Sequence, residues 1–199
     1  SIAKNRKIKY PMLPEKLVTK LGNSQTVKIP QKINGEIRIL SADIALMSSR
    51  RNNNDATAIF INQLMPTKAG RYISNIVYTE VYEGLRTDDQ ALIIRKLFDE
   101  FQCDYIVLDT NGIGLGVYDF IIKDQYDQET GDTYKALTCI NDPDMADRCN
   151  VRDANKVVWS VKATDKFNNE ICVLLRNGIQ NGKNNFLLPE QEADNILKD

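Results

Sequence analysis

The sequence predicts an α/β domain with a mixed central sheet of five or more strands and helices on both faces. Three segments rich in β-forming residues follow one another between residues 36 and 82, separated by short polar breaks. From residue 87 onward, segments with helical periodicity alternate with short apolar runs. The chain of 199 residues is long enough for one such domain with a hydrophobic core.

The first three strands are predicted in residues 37–46, 56–64 and 71–82. Residues 37–46 are interpreted as apolar on both faces, which is typical of a central strand that is covered on both sides. Short polar loops separate the three strands, so we expect them to form an antiparallel meander.

The second half of the chain is predicted to supply two parallel strands and three helices. A capping box, Thr87-Asp88-Asp89-Gln90, marks the start of the first helix, whose apolar residues repeat with helical spacing. The other elements are a strand at 104–109, a helix at 116–123, a strand at 135–140, and a helix from Thr164 to about residue 181. The order βββαβαβα is that of ribonuclease H-like folds, whereas a doubly wound dinucleotide fold alternates from its first strand.

Residues 1–35 are predicted to be an extended basic connector, and residues 36–199 the folded domain. Residues 1–40 carry nine Lys or Arg against two Glu, which leaves a net charge of −8 in the remainder. The basic arm could contact phosphates, but the arm alone favours a solvated linker. No run of about 18 apolar residues occurs, so no membrane-spanning segment is expected.

The residue types present exclude several kinds of catalysis. The chain has no histidine, which excludes Ser-His-Asp and Cys-His nucleophiles and zinc hydrolases built on imidazole. Its four cysteines are scattered without a Cys-x-x-Cys pair, as expected of reduced thiols. Hydrolytic chemistry would therefore depend on carboxylates.

Asp43 and Asp109 are the candidate carboxylates. Asp43 lies in the first predicted strand, and Asp109 ends the fourth. Taken singly, each is explained better by an ion pair or a turn-capping role. In this topology, however, the two strands are adjacent and parallel, so both side chains would enter one crevice. Two close carboxylates repel unless a cation lies between them, and hard oxygen ligands suit Mg²⁺ or Mn²⁺. Two such ions about 3.5–4 Å apart can cleave a phosphodiester.

Three segments together resemble the nuclease half of bacteriophage terminase large subunits. They are Leu40-Ser41-Ala42-Asp43-Ile44-Ala45, Asn54-Asp55-Ala56-Thr57-Ala58-Ile59, and the stretch from Val107 to Asp119, whose Asp-Thr-Asn-Gly-x-Gly-x-Gly-x-Tyr-Asp block is the most specific. The resemblance runs from about residue 37 to the end of the chain.

This resemblance implies a ribonuclease H-like endonuclease that cuts concatemeric double-stranded viral DNA during genome packaging. It assigns metal binding to Asp43 and Asp109 and, less closely, to Asp55, which a turn at the start of a strand explains as well. It also implies a terminase ATPase domain, a small terminase subunit and a portal as partners, in the cytoplasm of an infected or prophage-carrying bacterium.

Two features depart from the pattern of that family. The chain has no G-x-x-x-x-G-K-[ST] motif, so no ATPase is expected in it. The family's third carboxylate comes from a C-terminal segment, and Asp194 is only a weak candidate here. We therefore expect the C-terminal part of the nuclease domain to be missing.

Several residues are given secondary roles. Gly112, Gly114 and Gly116 are interpreted as a tight turn that lets a helix approach the crevice, not as a nucleotide-binding loop. Candidate DNA contacts are Arg50, Arg51 and Lys156, with Lys162 and Lys166 as further phosphate contacts. Trp159 is assigned to the core, and Tyr118 and Tyr126 to packing.

Two other functions remain open. The chain could be a non-catalytic module that docks DNA or the portal through an incomplete metal site. It could also be another ribonuclease H-like nuclease, such as a resolvase or transposase core, although the Asp109–Asp119 block argues against this.

Overall fold

The computed structural model describes residues 18–21, 24–27, 31–45 and 56–185. The strands and helices in these residues, in chain order, are β1 (Val18–Leu21), β2 (Ser24–Val27), β3 (Ile37–Asp43), β4 (Thr57–Pro66), β5 (Tyr72–Tyr82), α1 (Thr87–Glu100), β6 (Tyr105–Asp109), α2 (Ile113–Ile121), β7 (Gln125–Tyr126), β8 (Thr133–Tyr134), β9 (Leu137–Cys139), α3 (Pro143–Ala146), β10 (Asn155–Val161), α4 (Asp165–Gln180) and β11 (Asn184–Asn185).

Seven strands form one sheet in the order β11-β5-β4-β3-β6-β10-β9. β3, β6, β10 and β9 run parallel to one another, and β11 runs parallel to β5. β4 and β5 are neighbours joined by a tight turn, in which the Gly70 N–H donates to the Thr67 carbonyl. The predicted α/β class with a mixed sheet is confirmed. The pairs β1–β2 and β7–β8 form two separate antiparallel ribbons, and β1–β2 lies within the predicted connector.

Contacts divide the chain into two compact units. The first contains Ser1–Arg38, Phe60–Thr79 and Thr164–Asp199, and the second contains Ile39–Ile59 and Glu80–Ala163. The core of the second unit is apolar, and its fully buried side chains include Leu40, Ile94, Ile106, Leu108, Val117, Ile121 and Val158. Burial of these side chains supplies the main driving force for folding.

A buried polar cluster lies in the first unit, at the start of β3. The Arg38 guanidinium donates to Glu36 Oε1 at 2.6 Å, and both side chains are almost completely buried. Glu36 also accepts hydrogen bonds from the Ile33 N–H at 3.0 Å and from Gln63 at 2.9 Å. Burial raises the pKa of Glu36, but these hydrogen bonds and the Arg38 charge outweigh it, so the pKa lies below its usual value.

The prediction that the first strand is central is confirmed, because β3 is the middle strand of the seven. The prediction that it is apolar and covered on both faces is wrong, because burial in β3 alternates, and Arg38, Leu40 and Ala42 lie on the buried face. The strand ends at Asp43, which is exposed, and not at residue 46.

The prediction of a capping box at Thr87 is also wrong. Helix α1 begins at Thr87 with Arg86 as its N-cap residue, and no side chain caps it. The Gln90 side chain instead donates to the carbonyl oxygens of Ala45 and Leu85, at 3.0 Å each, and accepts from the Thr57 hydroxyl at 2.8 Å. Hydrogen bonds of Gln90 with Thr57 and Ala45, which are distant in the chain, have therefore replaced the predicted bond to the start of the helix.

Other elements differ from prediction in their exposure or position. Strand β10 covers residues for which the sequence predicts no regular structure, and helix α2 begins at Ile113, three residues early. Trp159 is 48% exposed and does not belong to the core, and Tyr126 is 62% exposed. Tyr118 is fully buried, and its hydroxyl donates to the Met145 carbonyl at 2.8 Å, so its packing role is confirmed.

The last predicted helix is confirmed as α4. It begins after Thr164, whose hydroxyl accepts a hydrogen bond from the Phe167 N–H at 3.2 Å. Its apolar residues Ile171, Leu174 and Leu175 are exposed, and none of its side chains is buried. Among the described helices, none is long and apolar enough to cross a membrane.

Candidate metal-binding edge of the sheet

The candidate site lies in the second unit, where β3 and β6 end side by side. These strands are parallel neighbours, and Ala42 pairs with Leu108 in their register. Asp43 and Asp109 are the next residue of each strand and also its last. Adjacent strands lie about 4.8 Å apart, so the two aspartates are neighbours at the same edge of the sheet.

The two aspartate side chains leave the same face of the sheet. Ala42 and Leu108 are buried on one face, and successive side chains of a strand point to opposite faces. Asp43 and Asp109 therefore point to the other, more open face. Asp43 is exposed and Asp109 is half-buried, so both carboxylates remain accessible. The predicted juxtaposition agrees with this register, but Asp43 is not embedded in a doubly covered strand as the sequence suggests.

The chain turns sharply after Asp109. One Asp109 oxygen accepts the Asn111 N–H at 2.9 Å, which forms a turn stabilised by the side chain. Gly112 follows with φ of +56°, a conformation that favours glycine. A Cβ added to Gly114 would lie only 1.7 Å from the Asp109 carbonyl oxygen. Helix α2 therefore starts against the end of β6 only because residue 114 is glycine, as the sequence predicts.

A buried hydroxyl pair joins β6 to β10 beside the aspartates. Thr110 Oγ1 and Ser160 Oγ lie 2.7 Å apart, and the Thr110 N–H donates to the Val161 carbonyl at 2.9 Å. The Asn141 side chain accepts from the Ser160 N–H and donates to the Ser160 carbonyl, at 2.8 and 2.9 Å. These contacts fix the ends of three parallel strands relative to one another.

The segment that follows Asp43 is fixed in a similar way. The Ala45 N–H donates to the Thr57 hydroxyl at 2.9 Å, and the Ala45 carbonyl accepts from Gln90. Thr57 and Gln90 are both buried. Sequence reasoning missed both polar supports because their partners are far apart in the chain, and the unusual burial of small polar residues is visible only after folding.

A lysine–aspartate ion pair extends the same edge. Lys162 follows Val161, the last residue of β10, and its ammonium lies 3.3 Å from Asp142. The other Asp142 oxygen accepts from the backbone N–H groups of Asp144 and Met145. The hydrogen bond from Met145 is the largest cause that lowers the pKa of Asp142, and Lys162 lowers it further.

The remaining predicted residues do not all join this edge. Arg50, Arg51, Asp55 and Asp194 lie outside the described residues. Lys156 is exposed near the start of β10. Because β10 and β6 are parallel, Lys156 is at the opposite edge from Asp109. Lys166 lies in the first turn of α4, in the other unit.

The donors at this edge fit a hard divalent cation. Two accessible carboxylates are typical ligands of Mg²⁺, which usually retains several waters and needs only one or two protein carboxylates. In the part of the chain that the structure describes, no group of three or more Asp, Glu, Cys or His side chains is placed to hold a metal. The described candidate ligands are therefore the two carboxylates of Asp43 and Asp109.

The strand order and the polar carboxyl edge define a ribonuclease H-like α/β fold. The same fold occurs in the crystal structure of the large terminase nuclease from thermophilic phage G20c with bound magnesium. That structure matches 94% of this chain and 72% of its own at 12% identity, with a TM-score of 0.52. Two more structures of that nuclease, the first with bound cobalt, match 94% of this chain and 72% and 73% of their own at 14% and 11% identity, with TM-scores of 0.48 and 0.46. No protein-family model and no curated protein matches the sequence. The predicted likeness to terminase nucleases is confirmed for the fold.

Proposed function

We propose that this chain is a metal-dependent endodeoxyribonuclease, the nuclease module of a terminase large subunit. The observation that carries the proposal is the pairing of Asp43 with Asp109 at the ends of adjacent parallel strands. The fold shared with the G20c large terminase nuclease supports it, and that protein binds magnesium in its crystal structure.

Asp43 and Asp109 would be the metal ligands, with Asp55 as a further candidate. Bound Mg²⁺ or Mn²⁺, in a pair of ions, would supply the activated water and the stabilisation of the leaving oxygen that phosphodiester hydrolysis requires. The residues of this chain orient the carboxylates: Asn111 holds one oxygen of Asp109, and Ala45 is fixed two residues after Asp43. Such local supports keep metal ligands in position.

The proposed substrate is double-stranded viral DNA in concatemeric form, cut during genome packaging. The proposed partners are a terminase ATPase domain, a small terminase subunit and a portal, in the cytoplasm of the bacterial host. Arg50, Arg51 and Lys156 remain candidate DNA contacts. A site at strand ends reaches the phosphate backbone, so we expect little sequence preference.

Nicking of supercoiled plasmid tests this proposal. The chain should nick plasmid in Mg²⁺ or Mn²⁺ and lose activity in EDTA. Asp109→Asn should be slower by more than about 100-fold, because a ligand matters more than the supports around it. Asparagine can still accept the Asn111 N–H, so the turn should survive. Asp153→Asn is the matched control, since Asp153 is exposed and lies before β10, at the opposite edge.

The outcomes separate the competing functions. A folded chain that binds DNA but does not nick it in either metal would favour the docking module. That function remains open because no third carboxylate joins the pair among the described residues. Preferential cleavage of branched DNA would favour a resolvase. Equal activity of the Asp109→Asn and Asp153→Asn variants would contradict the proposed site.

A further inference from the structure

The Lys162–Asp142 ion pair lies at the same edge of the sheet as the two aspartates. Val161 pairs with Asp109 in the parallel register of β10 and β6, and Lys162 is the next residue. One strand spacing and one residue rise place the Cα atoms of Lys162 and Asp109 about 6 Å apart. The strand register therefore places Lys162 at the same edge of the sheet as Asp109, one residue beyond its partner in β10.

The backbone that carries Lys162 is held on both sides. Val161 is bonded through its carbonyl to the Thr110 N–H, and both backbone groups of Ser160 are bonded to the Asn141 side chain. A lysine with a long, flexible stem is thus mounted on a fixed strand end. Rigid mounting of this kind is what a positioned binding residue requires.

The ion pair itself is weak and open to solvent. The Lys162 side chain is 63% exposed, and its contact with Asp142 is 3.3 Å long. Exposed lysine–carboxylate pairs contribute little to stability, so the ammonium can change partner at low cost. A backbone phosphate would offer it a charge-assisted hydrogen bond and would release counterions from the DNA.

We propose that Lys162 is a phosphate-binding residue whose ammonium exchanges the Asp142 carboxylate for a DNA backbone phosphate lying across the ends of β6 and β10. This inference rests on the proposed nuclease function and deepens it. Asp142 keeps Lys162 at the edge in the absence of DNA, and competition from the carboxylate weakens binding. Lys162 touches the substrate backbone but takes no part in bond cleavage.

A second lysine–aspartate pair provides a matched control. Lys135 lies 2.8 Å from Asp124, and its side chain is 80% exposed. Lys135 precedes β9, whereas Lys162 follows β10, and these strands are parallel. The control pair therefore lies at the opposite edge of the same sheet.

The test combines a binding measurement with steady-state kinetics. Fluorescence anisotropy of a labelled duplex of about 30 base pairs in EDTA gives the dissociation constant at several salt concentrations. Plasmid nicking in Mn²⁺ gives KM and kcat. The logarithm of the association constant falls linearly with the logarithm of the salt concentration. Loss of one phosphate contact should make this slope shallower by about 0.9.

Lys162→Met should show that reduced slope, with KM raised on the order of fivefold and kcat nearly unchanged. Lys162→Arg should keep the salt dependence of the parent chain, because arginine also binds phosphate. Asp142→Asn should lower KM, since asparagine keeps the helix cap while removing the competing charge. Lys135→Met should match the parent chain.

The result that would contradict the role of Lys162 differs from the result that would contradict the nuclease proposal. If the parent chain binds or nicks DNA but Lys162→Met behaves like Lys135→Met, the assignment of Lys162 is wrong. If Asp142→Asn raises KM, the exchange of partners is wrong. If the parent neither binds the duplex nor nicks plasmid, the nuclease proposal fails and the inference fails with it.

Discussion

Strand β3 starts at one charged cluster and ends at another, and the two clusters have opposite environments. At its start, Glu36 and Arg38 are buried, and Glu36 accepts hydrogen bonds from Ile33, Arg38 and Gln63. At its end, Asp43 is exposed, and within the described residues no hydrogen bond or ion pair to it is found. A buried charge with full partners stabilises one structure, whereas an accessible charge with few partners is free to bind a ligand. The first cluster therefore has the environment of a structural ion pair, and the second has the accessibility that the proposed metal site requires.

The largest effect on stability is expected at the buried end. Glu36→Gln removes the buried Glu36 carboxylate that pairs with Arg38, and breaking such a buried pair costs about 3 kcal/mol. Urea unfolding should measure this loss. Asp88→Asn is the control, because the Arg86–Asp88 pair is largely exposed and should contribute less than about 1 kcal/mol. A similar loss in both variants would remove the distinction between the clusters.

A smaller effect is expected where α2 meets Asp109. Gly114→Ala must displace the helix, because the new Cβ would lie 1.7 Å from the Asp109 carbonyl oxygen. Overpacking of this kind costs about 1–3 kcal/mol, and plasmid nicking should fall as Asp109 moves. In Gly116→Ala the new Cβ would meet Thr87 Cγ2 at 3.5 Å, an ordinary contact. Equal stability and equal activity of the two variants would show that the close approach is unimportant.

Almost no stability change is expected at the exposed end. Removal of the two charges, in Asp43→Asn/Asp109→Asn, should change the free energy of unfolding by no more than about 0.5 kcal/mol. A small gain is consistent with relief of repulsion between the carboxylates. Circular dichroism and urea titration measure this directly. A loss above about 2 kcal/mol would mean that the aspartates are structural.

The smallest effect is expected in the pH dependence of stability. The folded-state pKa of Glu36 lies below its usual value of 4.5. Its contribution to stability is therefore fully present above that value and disappears as the pH falls through the lowered folded-state pKa. The difference in unfolding free energy between the parent and Glu36→Gln should narrow below pH 4.5. A difference that stays constant with pH would contradict the proposed role of the Glu36 charge.

The residues that the sequence predicts best are those whose position follows from strand order. Asp43 and Asp109 can be paired because the order of strands and helices fixes which strands are parallel neighbours. Gly114 can be assigned to a close approach because a glycine that follows a strand and a turn often marks a place where two backbone segments touch.

The predictions that fail concern residues whose partners are distant in the chain. Gln90 has the spacing of a capping box, but contacts with Thr57 and Ala45 take its side chain away from the helix end. The assignment of Trp159 to the core depends on its residue type alone, since the sequence pattern does not mark β10 as a strand. In the folded chain burial alternates along β10, and Trp159 falls on the exposed face. Local patterns could not reveal either outcome.

The most direct measurement is a calorimetric titration of this chain with Mn²⁺, alongside Asp43→Asn/Asp109→Asn and the control Asp153→Asn. Circular dichroism should first confirm that all three proteins are folded. If the strand-end aspartates form the metal site, the parent and Asp153→Asn bind Mn²⁺ and the double variant does not. Binding by the double variant equal to that of the parent would contradict the assignment, and so would a folded parent chain that does not bind Mn²⁺.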